Sequence, residues 1–147
     1  AHLSEVVGAA VGIAPARIQW VSPLAEDDYA EYRDQGFLDR LGITLVHYPL
    51  AEFWPTRGPQ WDALGRAGDQ VILVEAKAHF AELMSPPSQA SPASLSRIRQ
   101  SLDLVKASMG VAAEIDWTGR YYQYANRLAH LYLLRHLTSL FPDIAVQ

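Results

Sequence analysis

The chain contains no cysteine. It can therefore form no disulfide, no thiolate metal site and no cysteine nucleophile, a composition that suits a reducing, cytoplasmic setting. No apolar stretch approaches the roughly 20 residues of a membrane span, so no membrane association is expected. The opening "AHLSEVVGAAVGIAPA" lacks the basic start of a signal peptide. The first residue is not Met, which is in keeping with processing or with truncation at one or both ends. A general basic excess is missing too: the net charge is −4, against a coat for nucleic acid. The deficit is uneven, with five Arg against eleven acids in residues 1–75 and seven Lys plus Arg against five acids in residues 76–147. A polyanion is expected to meet the second half.

What is present is a chain of 147 residues, half of them apolar, enough to bury a core as one domain spanning 1–147. Leu3 to Ile13 reads as a first helix that stops before Pro15. "ARIQWVS" reads as a short strand or extended link. Ser22-Pro23 offers an N-cap with proline at the first helical position, opening a second helix with Glu26, Asp27 and Asp28 near its start and Gly42 at its end. "ITLVHYPLAEFW" has the β-branched and aromatic content of a strand, and Pro55, Gly58 and Pro59 mark a turn. "QWDALGR" reads as the next strand, Gly68-Asp69 as a turn, and "QVILVEAKAH" as a strand buried on both faces. "SPPSQASPAS", residues 85–94, is a loop expected to be mobile. Leu95, Ile98, Leu102, Val105 and Met109 recur at helical spacing before Gly110. A last helix, about Arg120 to Leu137, is apolar enough from Leu128 to Leu134 to be largely enclosed.

The run Val71 to Val74 ends in Glu75-Ala76-Lys77. With sixteen acids and two lysines, an acid two places before a lysine arises by chance in roughly one such chain in five, so context must carry any meaning. The triplet closes the most buried strand, and Asp62 lies thirteen residues earlier across a glycine turn, where antiparallel pairing sets it beside Glu75. Two close carboxylates repel unless a divalent cation sits between them, and oxygen ligands without sulfur favour Mg²⁺ or Mn²⁺. Strand alternation sends Glu75 and Lys77 to one face. A lysine there can orient or deprotonate a water and stabilise a pentavalent phosphate.

Asp62, a twelve-residue gap and Glu75-x-Lys77 on an apolar strand resemble the PD-(D/E)xK nuclease superfamily. The resemblance implies an α/β fold, a restriction-endonuclease-like mixed sheet flanked by helices in the order helix, three strands, helix, strand, covering about residues 43 to 110. It implies hydrolysis of DNA phosphodiesters with Mg²⁺ or Mn²⁺: Asp62, Glu75 and the Ala76 backbone carbonyl as metal ligands, and Lys77 as the catalytic lysine. Trp61 stands where the family's name has proline, with Pro59 two places earlier. Some members carry a further acid on the first helix, for which Glu5 is the candidate and Glu52 the second choice. Others place a Gln and a basic residue on a later helix facing the metal. Gln123 and Arg127 match that role, on a stripe with Asn126 and His130. Only "DIAVQ" remains for a final strand, which is expected to be short or missing, with the sheet edge covered by the last helix or by a partner chain such as a second copy.

Each of these residues has a plainer reading. Glu5 and Glu52 suit a solvated surface, Gln123 and Arg127 the polar face of an amphipathic helix, and His130 a partly buried structural histidine. His79 could contact DNA on the strand face of Glu75 and Lys77, or be solvated at the strand's end. Trp54, Trp61 and Tyr48 suit either base stacking or the core. Arg97, Gln100 and Lys106 suit either a phosphate backbone or water. Two rivals to a nuclease follow: a catalytically silent domain of the same fold that binds nucleic acid or a protein, and an interaction domain in which Glu75 and Lys77 form only a surface pair.

Overall fold

The computed structural model describes residues 2–46, 48–77, 79 and 84–138. It is a mixed α/β structure with a three-stranded sheet, and it divides into two compact units. One comprises residues 1–43 and 60–76, the other residues 44–59 and 77–147.

In the first unit, α1 (His2–Val11) leads through a 3-10 turn (Pro15–Arg17) into β1 (Gln19–Ser22). Gly8 of α1 has a specific reason to be glycine: a Cβ there would lie 2.5 Å from the Ile13 carbonyl oxygen, and the Ile13 amide bonds to the Gly8 carbonyl at 2.9 Å as the chain turns back. The indole of Trp20 donates to Ser4 Oγ, 2.9 Å, tying β1 to α1. The expected helix after Ser22-Pro23 does not form. That peptide is cis, and the Ser22 hydroxyl donates across the loop to Ala30 O, 2.9 Å, instead of capping. A 3-10 turn (Ala25–Asp27) takes its place, and Asp27 accepts bonds from Tyr32 and Arg40. Of the three acids expected to complement a helix dipole, Asp27 instead ties this loop to Arg40 of the next helix.

That helix, α2 (Gln35–Leu41), buries Phe37, Leu38 and Leu41 and ends at Gly42, φ 65, as foreseen. Its last carbonyls, short of intrahelical donors, gain a cation: Arg66 Nη1 donates to Leu41 O at 2.8 Å. Arg66 belongs to β2 (Ala63–Ala67), which pairs antiparallel with β1 on one side and with β3 (Gln70–Val74) on the other. Ile18, Ala67 and Ile72 form a small buried cluster, with Val7, Ile13, Trp20 and Val74 around it. The sheet is antiparallel throughout, not mixed, and its first strand is drawn from "ARIQWVS" and not from "ITLVHYPLAEFW".

In the second unit the latter segment supplies one helical turn, α3 (Leu50–Phe53), started by Pro49 at φ −56. Phe53 on this turn and Trp54 just after it are buried, and Tyr48 before it is half-buried. α4 (Pro92–Ser108) begins where Ser91 accepts the Ser94 amide and proline takes the first turn. Ile98, Ser101, Leu102, Val105 and Lys106 are buried along it, and the Ser101 hydroxyl donates to Phe53 O. Met109, expected on the apolar stripe, is exposed, and Gly110 (φ 67) follows. α5 (Tyr122–His136) packs on α4 and buries Ala125, Asn126, Ala129, His130, Leu133 and Leu134. Leu131 is exposed, so α5 is enclosed on one side only. The serine/proline loop is pinned: the Ser85 amide bonds to Arg120 O at 2.7 Å and the Ser88 amide to Thr118 O at 2.9 Å. The stretch expected to form a final strand, "DIAVQ", lies outside the described residues. Among the described residues no helix is long and apolar enough to cross a membrane.

Candidate functional site

The β2–β3 hairpin turns on Gly68-Asp69, with Gly68 at φ 63, the positive φ a tight hairpin needs. The ladder runs from Ala67↔Gln70 out to Ala63↔Val74. One step further out stand Asp62, just before β2, and Glu75, just after β3. Both are half-buried.

The Asp62 amide bonds to Val74 O at 3.1 Å, and Asp62 Oδ2 accepts the Ala76 amide at 2.6 Å. This carboxylate therefore closes the open end of the hairpin and holds the backbone that follows Glu75. A carboxylate with one oxygen on an amide keeps lone pairs on the other for a second partner. Just before it, Trp61 is buried against Phe37, ring centroids 6.1 Å apart, and its amide bonds to Tyr32 O at 3.1 Å. Packing of Trp61 thus fixes the backbone from which Asp62 projects.

β3 ends at Val74, not at His79 as expected, because the ladder partners run out at Ala63. Strand alternation consequently does not extend to Lys77 or His79, and the pleat places neither on the face of Glu75. Ala76, Lys77 and His79 are all exposed. Among the described residues, no three His, Asp or Glu side chains gather in one group.

The other expected residues are placed individually. Glu5 is exposed on α1, 4.0 Å from the His2 ring. Glu52 is exposed on α3. Arg97 Nη1 donates to Ala51 O at 2.8 Å, linking α4 to α3. On α5, Gln123 is exposed and its backbone N–H donates to Ser85 Oγ at 3.0 Å, while Arg127 Nη1 donates to Asn126 Oδ1 at 2.8 Å. His130 is fully buried, donates from Nδ1 to Asn126 O at 2.8 Å, and meets Trp54 and Phe53 edge-on at 5.2 and 6.4 Å. The stripe of four is therefore split, with Asn126 and His130 inside and Gln123 outside. Trp54 and Trp61 are core residues, and Tyr48 is half-buried against Phe53.

Lys106 is the clearest departure. Placed among solvated or phosphate-binding side chains by its position in the sequence, it is buried. Its ammonium donates to Ala113 O at 2.7 Å and Ile115 O at 3.1 Å, and pairs with Asp103 at 2.8 Å. That clamp shapes a feature missed in the sequence: an open apolar cleft of about 530 Å³ lined by Ile115, Asp116, Trp117, Tyr121, Tyr124 and Leu128. Asp116 Oδ1 accepts the Thr118 hydroxyl at 2.6 Å and the Thr118 amide at 2.8 Å. These two bonds, the hydroxyl's first, hold its carboxyl below the ordinary 3.8, with help from Arg99 and Lys106. The aromatic residues of "DWTGRYYQY" were the available signal.

No family model, no curated protein and no solved structure matches this chain.

Proposed function

We propose that the chain is a divalent-metal-dependent nuclease acting on DNA, with Asp62, Glu75 and Lys77 as its working residues. The observation that carries the reading is the hairpin register, which sets Asp62 and Glu75 one step beyond the same ladder pair, at the end where the apolar strand stops. The β2–β3 hairpin followed by α4 supports it, although α2 and α3 stand between β1 and β2 and β1 lies before the 43–110 span of the PD-(D/E)xK resemblance.

The donors suit a hard cation. Asp62, Glu75 and the Ala76 carbonyl are all oxygen ligands, and a site with two carboxylates takes its remaining ligands from water and substrate phosphate, as Mg²⁺ does. Such an ion, when bound, neutralises charge on the phosphoryl oxygens. Asp62 and Glu75 would hold it, and the Asp62 bond to the Ala76 amide orients that carboxylate beforehand. Lys77, exposed beside them in sequence, would position the attacking water or take its proton.

Two measurements test it. Cleavage of plasmid and single-stranded DNA should require Mg²⁺ or Mn²⁺ and fall away in Lys77→Ala; cleavage at full rate in that variant would remove Lys77 from the chemistry. In thermal melts, wild type should gain on the order of 1–3 kcal/mol as Mn²⁺ rises well above its Kd, following RT ln(1 + [L]/Kd), and Asp62→Asn should gain little. Asn can still accept the Ala76 amide, so relief of carboxylate repulsion and loss of a charge-assisted bond oppose each other and the metal-free fold should shift by less than about 1 kcal/mol. Equal metal responses in the two proteins would sink the site.

A further inference from the structure

The cleft between the 115–117 loop and α5 has the features of a preformed binding site. Its loop wall is held from two directions, by the Lys106 bonds to Ala113 O and Ile115 O and by the Ser85 and Ser88 amides on Arg120 O and Thr118 O. A wall fixed in advance costs a ligand little ordering entropy. Tyr121 and Tyr124, 55% and 57% exposed, stand three residues apart at the start of α5, and Trp117 faces the same cleft. Large aromatic residues left open in a mostly apolar cleft offer stacking surface.

Among the described residues, Asp116 is the one charged group in the lining. Both of its bonds to Thr118 fall on Oδ1, which leaves Oδ2 to accept from a ligand. An ionised carboxylate is acceptor-only, so it selects for N–H or O–H. A cation is the first thought, but the charges of Arg99 and Lys106 already act on Asp116. The local balance favours a neutral donor.

We propose that this cleft binds a nucleobase, stacked among Tyr121, Tyr124 and Trp117 and presenting an amino or imino N–H to Asp116 Oδ2. Bases have the required flat face and donor edge, and a volume of about 530 Å³ accommodates one. The base can arrive as a free nucleoside or as part of a single strand. The proposal rests on the cleft alone and not on the metal site.

Calorimetric titration with adenosine and with N6,N6-dimethyladenosine tests it, since the two stack alike and only the first donates from its exocyclic nitrogen. Adenosine should bind more tightly, and Asp116→Asn, which turns a donor toward the ligand when its oxygen stays on Thr118, should weaken it by roughly tenfold. Tyr124→Ala, an exposed change that leaves the fold intact, should weaken adenosine and an oligo-dA by between about five- and a hundredfold. Tighter binding of oligo-dA per site would assign the base to a strand, and equal binding to a free nucleoside. Indifference to the methyl groups, indifference to Tyr124→Ala, or binding of benzylammonium in preference to adenosine would overturn the proposal. Lys77→Ala should bind adenosine unchanged, which keeps this result separate from the fate of the nuclease reading.

Discussion

Replacing Lys106 by methionine keeps most of the aliphatic stem that packs inside the second unit and deletes the ammonium. The side chain is 7% exposed and its three N–H groups have three acceptors: Ala113 O, Ile115 O and Asp103 Oδ1. Bonds from a charged donor contribute about 1.5–3 kcal/mol each when taken singly, yet their sum overstates the loss. Ala113 and Ile115 are exposed, so their carbonyls regain water, and the variant no longer confines a charge. A net loss of about 1–3 kcal/mol remains, which for a domain of this size is a fall in Tm of roughly 2–10 °C. Asp103→Ala should cost under about 1 kcal/mol, because the Asp103 side chain is 61% exposed and such pairs are screened. Urea and thermal unfolding of the two variants measure both figures, and adenosine titration of Lys106→Met should show weaker binding as the 113–116 wall loosens. If Lys106→Met were as stable as wild type, desolvation of the ammonium would outweigh its bonds. If Asp103→Ala cost as much, the ion pair and not the carbonyl clamp would hold the loop.

Two further outcomes follow from the same unit. Thr118→Val removes the hydroxyl that depresses the Asp116 pKa; because a depressed carboxyl contributes stability that is present above its unfolded value and lost as pH falls through its native value, the difference in Tm between variant and wild type should shrink as pH drops below about 3.8. Phe53→Ala empties a fully buried position between Tyr48, Trp54, His130 and Tyr132. Denaturant melts should show a loss of about 3–5 kcal/mol, and a loss under 1 kcal/mol would mean that the aromatic group is not the core of α3, α4 and α5.

The elements read correctly in the sequence are those whose signals are local. Ser91-Pro92 and the spacing of Ile98, Leu102 and Val105 specify α4 without help from the rest of the chain, and Gly42 and Gly110 stop helices by the same positive φ wherever they occur. "ITLVHYPLAEFW" failed because β-propensity largely records burial. Leu50, Phe53 and Trp54 are indeed buried, but among helices, after Pro49 has set the first turn. Ser22-Pro23 failed for a related reason: the hydroxyl found Ala30 O, eight residues on, and no local rule anticipates that partner. Lys106 was misplaced because its acceptors are carbonyls of a loop that lies beyond a glycine. Carbonyls are identical in every sequence, so the residue that meets them is visible only in the structure.

The two acids of the proposed metal site illustrate how far spacing can carry. A two-residue turn pairs residues equidistant from its centre, so once Gly68-Asp69 is the turn, Ala67 must face Gln70 and each outward step must pair the next two residues. Twelve residues separate Asp62 from Glu75, an even number centred on that turn, and the observed Ala63↔Val74 pair leaves the two acids as the next step. A turn displaced by one residue would have shifted the register by two and set Glu75 opposite Gln60 or Leu64, two places along the strand from Asp62. Lys77 has no such constraint. It stands beyond the last ladder pair, and its place relative to Glu75 is set by backbone torsions at three residues that no strand partner fixes. The positions of the two acids, one on each side of the last ladder pair, are thus a consequence of the hairpin. The lysine is tied to it by sequence proximity and by the Asp62 bond that anchors the Ala76 amide, one residue before it.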